Sequence, residues 1–128
     1  MEEADIHYKK ALELDPKHCG ANHALGRDAV LLKRYQDAIS YLDAANELCA
    51  GTILQARSLR LRVEALLELG KTAEAEADLK RLLSDYPENK NTYEAGLLVA
   101  TKNGDASLAE EYQAKLTALA SQESKGSQ

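Results

Sequence analysis

Small residues recur at a fixed interval along this chain of 128 residues, and this regularity restricts the possible folds more than any other feature. Alanines stand in similar surroundings at Ala4, Ala38, Ala75 and Ala109, with separations of 34, 37 and 34 residues. Apolar residues follow most of these alanines at four and seven positions, which is the spacing of one helix face. A period of this length indicates a stack of repeated units, each of which buries its apolar face against its neighbours.

Glycine and proline follow the same period. Gly70 and Gly104 each precede one of the alanines by five residues, and Pro16 and Pro87 each follow one by twelve. The intervening segments also have helical periodicity, and no long stretch alternates with the period of a strand. The pattern predicts seven helices joined by short connections, so that consecutive helices are antiparallel neighbours. The predicted ranges are 3–14, 18–31, 35–48, 53–69, 72–84, 89–102 and 105–121.

These features resemble the tetratricopeptide repeat (TPR) family, whose units of 34 residues are pairs of helices. The resemblance is carried by small residues at repeat positions and by the repeat ends, namely Gly26, Ala38, Ala75, Ala109, Leu14-Asp15-Pro16 and Tyr86-Pro87. It implies an all-α domain over residues 1–120, built as a right-handed superhelical stack of about 3.5 repeats. A half repeat would occupy residues 3–18 and full repeats 19–52, 56–89 and 90–120, and the polar residues 121–128 are expected to form a disordered tail.

The sequence departs from the family pattern at several positions. Three extra residues near Gly51 predict a longer turn before the fourth helix, and Arg62 and Val63 replace a common leucine and a small residue. The third repeat is therefore expected to pack less regularly. The chain also opens in the second half of a repeat, which predicts that Ile6 and Leu12 are left exposed as a candidate oligomer edge.

The resemblance also implies that the first helix of each pair lines a concave groove that holds a protein or peptide segment. Seven residues fall at groove positions: His23, Arg27, Arg57, Arg60, Glu64, Asn91 and Glu94. The first four form a basic cluster, which suits an acidic peptide or a C-terminal carboxylate. The alternative interpretation is a solvated helix face on which Arg60 and Glu64 form an ordinary i,i+4 pair.

Some members of the family bind carboxylates through a clamp of lysines, asparagines and an arginine. His23, Arg27 and Leu61 occupy three positions where that clamp would have other residue types, so its specificity is not expected here. The main hypothesis is a non-catalytic scaffold for protein–protein interaction. The alternative is an assembly element of a larger protein that associates, or self-associates, through its unpaired N-terminal helix.

Composition argues against several other functions. The formal net charge of −5 gives no general attraction to nucleic acid, and the six tyrosines are expected to be structural. No apolar run approaches the length of a membrane span, so no membrane insertion is expected, and the compartment is unknown, cytoplasmic by default. Neither a phosphate-binding loop nor a nucleophile elbow occurs. We therefore expect no enzyme activity and no cofactor, and we interpret Glu74, Glu76 and Asp78 as surface charge.

The two cysteines leave two alternatives open. Cys19 and His23 share a helix face next to His18, but no second cluster completes a metal site, so none is expected. Cys19 starts one helix and Cys49 ends its antiparallel partner, which places both at the same end of the pair. A disulfide is feasible if the Cα atoms lie within about 7 Å, but two free thiols are the favoured expectation.

Overall fold

The computed structural model describes residues 2–126, with side chains from Asp5 to Gln122. Within residues 2–126 the chain forms seven helices and no strand, so the prediction of an all-α fold with seven helices is confirmed. The first six helices begin and end within one residue of their predicted bounds. The seven helices are α1 (Glu2–Leu14), α2 (Cys19–Leu31), α3 (Tyr35–Leu48), α4 (Ile53–Glu68), α5 (Thr72–Asp85), α6 (Lys90–Lys102) and α7 (Ala106–Gly126).

The last helix is longer than predicted. It continues to Gly126, so the disordered tail predicted from Ser121 is wrong for residues 121–126. The segment from Ser121 to Lys125 contains neither proline nor glycine, and glutamine, glutamate and lysine are good helix formers. Residues 127 and 128 of the predicted tail, and Met1, lie outside the described residues.

The helices form two layers. Each helix packs against the next along the chain, and α4 also contacts both α2 and α6. Within the described range, no corresponding contact joins α1 to α3, α3 to α5 or α5 to α7. The even-numbered helices are therefore closer together than the odd-numbered ones, so the stack curves with α2, α4 and α6 on its concave side.

The same turn ends each helix of the inner layer. After α2, α4 and α6, a backbone N–H reaches back five residues, from Arg34 to Ala29, from Lys71 to Leu66 and from Asp105 to Ala100. The residue before each donor has a positive φ, at Lys33 (61°), Gly70 (78°) and Gly104 (74°). Glycine adopts this conformation without steric cost, which explains the recurrence of Gly70 and Gly104 34 residues apart.

Glycines also permit close contact between the layers. A Cβ atom added to Gly26 would lie 2.5 Å from the side chain of Leu42, and one added to Gly96 would overlap the ring of Tyr112. Each pair is sixteen residues apart, so both glycines occupy the same repeat position. In the middle repeat that position is Val63, which is fully buried, so the larger side chain is accommodated within the core.

An ion-paired arginine stabilises the irregular third repeat. Arg62 on α4 donates from Nε to Asp43 on α3 at 2.7 Å, and from Nη1 to both carboxylate oxygens of Asp78 on α5 at 2.7 Å. Asp78 is 7% exposed, so its interpretation as surface charge is wrong, whereas Glu74 and Glu76 are exposed. Because α3 and α5 do not contact each other, Arg62 is the link between them through α4.

The longer turn before α4 is held by side chains. The Gln55 Oε1 atom accepts from the Tyr86 hydroxyl at 2.6 Å and from the Gly51 N–H at 3.2 Å, while Gln55 Nε2 donates to the Asn46 carbonyl at 3.1 Å. Gln55 is buried. The three extra residues are thus fixed against the next repeat.

A disulfide joins Cys19 to Cys49, with Cα atoms 5.3 Å apart. The expectation of two free thiols is wrong. The antiparallel pairing of α2 and α3 brings the first residue of one helix beside the residue that follows the other. The bond closes a loop over a sequence separation of 30 and covalently fixes one end of this helix pair.

Candidate functional site

A basic cluster lies where α2 and α4 meet on the concave side, and His23 is at its centre. The His23 side chain is 6% exposed, and its Nδ1 atom lies 2.8 Å from the Oγ atom of Ser58 on α4. His23 was predicted to face the groove. The structure instead buries it beneath the surface, because α2 and α4 are in direct contact at this level.

The environment of His23 disfavours its charged form. The pKa of His23 is lowered to about 4, mainly by burial, and the positive charges of Arg27, Arg57 and Arg60 contribute in the same direction. The four residues of the predicted basic cluster are therefore close in space. At neutral pH the cluster has three guanidinium groups around an uncharged imidazole.

Arg27 and Arg57 are the accessible members of the cluster. Arg27 donates from Nε and Nη2 to one oxygen of Asp28, each at 3.3 Å, and its side chain is 45% exposed. Asp28 is buried, with 3% of its surface exposed, so it holds the Arg27 guanidinium against the protein surface. Arg57 is exposed and forms no ion pair or side-chain hydrogen bond with another described residue.

Arg60 is committed to contacts between helices. Its Nε atom lies 3.0 Å from Asn91 Oδ1 and 3.1 Å from Glu94 Oε2, both on α6. Asn91 is 9% exposed, and its Nδ2 atom donates to Asn89 Oδ1. Its side chain is therefore engaged within the fold and is not open to the groove. The predicted i,i+4 pairing of Arg60 with Glu64 is absent from the ion pairs of the described residues, and Glu94 takes its place.

The groove register predicted for α6 is therefore displaced by one residue. In α2 the predicted groove residues His23 and Arg27 stand three residues before and one residue after Gly26. The same offsets from Gly96 give Tyr93 and Leu97, whereas the prediction for α6 used Asn91 and Glu94. The equivalent close contacts of Gly26 and Gly96 are the signal that identifies the correct register.

A cleft opens between the C-terminal halves of α4 and α6. It has a volume of about 470 Å³. Its lining consists of three leucines surrounded by polar and charged residues, namely Leu67, Leu97, Leu98, Glu64, Glu68, Thr101 and Lys102. Glu64 thus belongs to the rim of this cleft rather than to the basic cluster. The polar residues at the predicted groove positions do not reveal this cleft, because its apolar lining consists of leucines.

The concave surface therefore has two different parts. The basic cluster lies toward the N-terminal half of α4, and the leucine-lined cleft lies toward its C-terminal half. The three inner helices run parallel to one another, since each is separated from the next by one antiparallel helix. A segment that follows the groove along α4 passes from one part to the other.

The residues of the predicted oligomer edge differ in exposure. Ile6 is 64% exposed on α1, whereas Leu12 is half-buried. Leu14, which was assigned to the repeat end and not to the oligomer edge, is 82% exposed at the end of α1. Among the described side chains of α1, the large apolar residues that are exposed are Ile6 and Leu14.

Two of the three candidate metal ligands at the start of α2, His18 and Cys19, are engaged in other contacts. His18 is the N-cap of α2, where its Nδ1 atom accepts from the Ala21 N–H at 3.0 Å, and Cys19 is in the disulfide. In the part of the chain that the structure describes, no three histidine, cysteine, aspartate or glutamate side chains come together as a metal site.

Comparison with known protein families gives a match at the N-terminal end of the chain. A family model described as "Tetratricopeptide repeat" matches residues 1–18, which comprise α1 and the turn that follows it. No curated protein matches the chain. Among the described residues, no helix combines the length and the apolar character needed to cross a lipid bilayer. Repeats of this family generally mediate interactions between proteins.

Proposed function

We propose that this protein is a tetratricopeptide-repeat scaffold without catalytic activity that binds an acidic protein segment on its concave face. The observation that carries the proposal is the side chain of Arg57, which is exposed and unpaired within the described part of the chain. Its guanidinium is exposed beside those of Arg27 and Arg60, and no described residue neutralises it. Arg27 and Arg60 are each paired with a carboxylate, so the charge of Arg57 is the one that a ligand carboxylate can neutralise.

The geometry of the arginines supports a carboxylate ligand in particular. Guanidinium groups donate in a planar fork that matches a carboxylate. Asp28 holds Arg27 in place, and Asn91 and Glu94 hold Arg60, so two of the three guanidinium groups are positioned before any ligand arrives. Such preorganisation lowers the entropy cost of binding. Either an acidic side chain or a chain-terminal carboxylate has the required chemistry.

The experiment uses Arg57→Glu, because this change breaks no side-chain contact within the described protein. The probe is a fluorescein-labelled decapeptide of alternating glutamate and serine, and binding is followed by fluorescence anisotropy at low salt. We expect Arg57→Glu to weaken binding at least tenfold. Added salt should weaken binding to the wild-type protein as well, because screening reduces attraction between exposed charges.

Arg81→Glu is the matched control. Arg81 lies on α5 in the outer layer, where its side chain is 46% exposed, and the substitution changes the net charge by the same amount. We expect its affinity for the peptide to stay within about twofold of wild type. Equal losses in both variants would indicate general charge attraction and contradict a specific groove site.

Self-association through α1 is a second candidate function, favoured by the exposure of Ile6 and Leu14. Large apolar side chains on one helix are suited to packing against a second copy. Light scattering across a hundredfold range of concentration tests this candidate, with Ile6→Lys as the variant. A mass that stays monomeric throughout, or a dimer that Ile6→Lys leaves intact, would contradict it.

A further inference from the structure

The cleft between α4 and α6 has a mixed lining that matches one kind of side chain. Its leucines include Leu97 and Leu98, which are only half-buried, so they leave apolar surface open to solvent. The volume of about 470 Å³ lies in the range of pockets that hold ligands, about 300–1,000 Å³. Covering the exposed leucine surface with another apolar group is favourable because it removes that surface from water.

The charges around the cleft restrict what lies next to that apolar group. Glu64 and Glu68 stand on the α4 side, and Lys102 stands on the α6 side. The two glutamates repel a carboxylate at this end of the groove, whereas the arginines attract one at the other end. A segment that is complementary to both parts therefore has an acidic residue near Arg57. Near Glu68 it has an apolar residue, and the residues beside that one are neutral or basic.

The distance between the two parts sets a spacing along the ligand. Leu67 follows Arg60 by seven residues and Arg57 by ten, so the parts are separated by about 10–15 Å along α4. The cleft is also displaced sideways, toward α6, by about half the usual helix separation of 8–10 Å. An extended chain covers about 3.3 Å per residue. An acidic and an apolar side chain that reach both parts are therefore about three to five residues apart.

We propose that the cleft between α4 and α6 binds one large apolar side chain of the same segment whose carboxylate binds to Arg57, three to five residues away. This inference rests on the proposed function, since the arginines fix the other end of the segment. It defines the partner by its chemistry: an extended polypeptide with an acidic residue, a short spacer, and a leucine-sized or aromatic side chain followed by residues without negative charge.

The test uses capped twelve-residue peptides of glycine and serine that carry one Glu-Glu pair and one phenylalanine. The phenylalanine is placed from one to eight residues after the pair, and a reference peptide has serine in its place. Affinities are measured by NMR titration of protein that carries labelled leucine methyl groups. We expect phenylalanine to improve affinity at least fivefold at spacings of three to five, and to shift the methyl signals of Leu67, Leu97 and Leu98.

Two leucine variants separate the cleft from a general apolar effect. Leu97→Ser removes a half-buried leucine that lines the cleft but lies outside the main core cluster. Leu83→Ser is the matched control, because Leu83 is 41% exposed on α5 in the outer layer. The gain from phenylalanine should disappear in Leu97→Ser and persist in Leu83→Ser.

Three outcomes would overturn the inference, and they distinguish it from the proposed function. If phenylalanine adds nothing at any spacing while Arg57→Glu still abolishes binding of the reference peptide, the cleft inference fails alone. If the gain persists in Leu97→Ser, the apolar side chain binds elsewhere. If no peptide binds to the wild-type protein, both the inference and the proposed acidic ligand fail.

Discussion

The Nδ1 atom of His23 lies 2.8 Å from the Oγ atom of Ser58, and this contact joins α2 to α4 directly beneath the basic cluster. The imidazole has little exposed surface and is surrounded by three guanidinium groups. The same contact therefore contributes to the packing of two repeats and to the electrostatic environment of the proposed ligand site.

His23 should make stability depend on pH. Its folded pKa of about 4 is below the unfolded value of about 6.5, so the unfolded chain binds more protons between these values. The contribution of His23 to the free energy of unfolding is complete above about pH 6.5 and is lost as the pH falls toward 4. Lowering the pH from 7 to 5 should reduce the free energy of unfolding in urea by about 1–2 kcal/mol more in the wild type than in His23→Gln. Equal losses in the two proteins would contradict this assignment.

We expect Arg62 to be essential for stability only because it pairs with the charged side chain of Asp78. Arg62→Leu leaves the nearly buried Asp78 without its partner, and we expect a loss of about 2–4 kcal/mol in the free energy of unfolding. Adding Asp78→Ala should recover at least half of that loss, because no buried carboxylate then remains. Urea denaturation of the two variants measures both effects. A double variant that is less stable than Arg62→Leu would show that the ion pair is not the cause.

Reduction of the Cys19–Cys49 disulfide should destabilise the protein. A loop of this length, with a sequence separation of 30, corresponds to about 3–4 kcal/mol through the restricted entropy of the unfolded chain. Thermal unfolding with and without a thiol reductant provides the measurement, and Cys19→Ala/Cys49→Ala is the control on which the reductant should have no effect. Titration of two free thiols in the native oxidised protein would contradict the structure.

Gly96 should resist substitution although it lies within a helix. Gly96→Ala places a methyl group against the buried ring of Tyr112, and we expect a loss of about 1–3 kcal/mol despite the higher helix propensity of alanine. Gly20→Ala is the matched control, because the nearest atom to its added Cβ lies 3.4 Å away in the His18 side chain. That variant should be as stable as wild type or more so in thermal unfolding. Similar losses in both would refute the packing explanation.

The helical repeat could be predicted because small residues and turn glycines recur at regular intervals in the sequence. Gly70 and Gly104 mark the same backbone turn, and Lys33 adopts that turn without glycine, which hides one copy from a sequence search. The positions of Arg27 and Arg57 on the inner layer also followed from periodicity. These features depend on local spacing, which a single sequence contains.

The details of the site depend on contacts between helices, which spacing alone does not define. Burial of His23 and Asn91 arises from how closely α2, α4 and α6 approach one another. The pairing of Arg62 with Asp78 requires the third repeat to fold around an ion pair where the family usually has leucine. The disulfide required the actual separation of the Cα atoms. Each is a property of the three-dimensional arrangement of side chains.

The covalent loop between Cys19 and Cys49 also affects how the chain responds to a pulling force. A helical protein held at both ends lengthens under force as its helices unravel into extended chain. The 30 peptide units within the loop cannot contribute to that extension while the disulfide is intact, which shortens the fully stretched chain by about 100 Å. The segment between Cys19 and Cys49 is consequently a part of the chain that force cannot unravel unless the disulfide is first reduced.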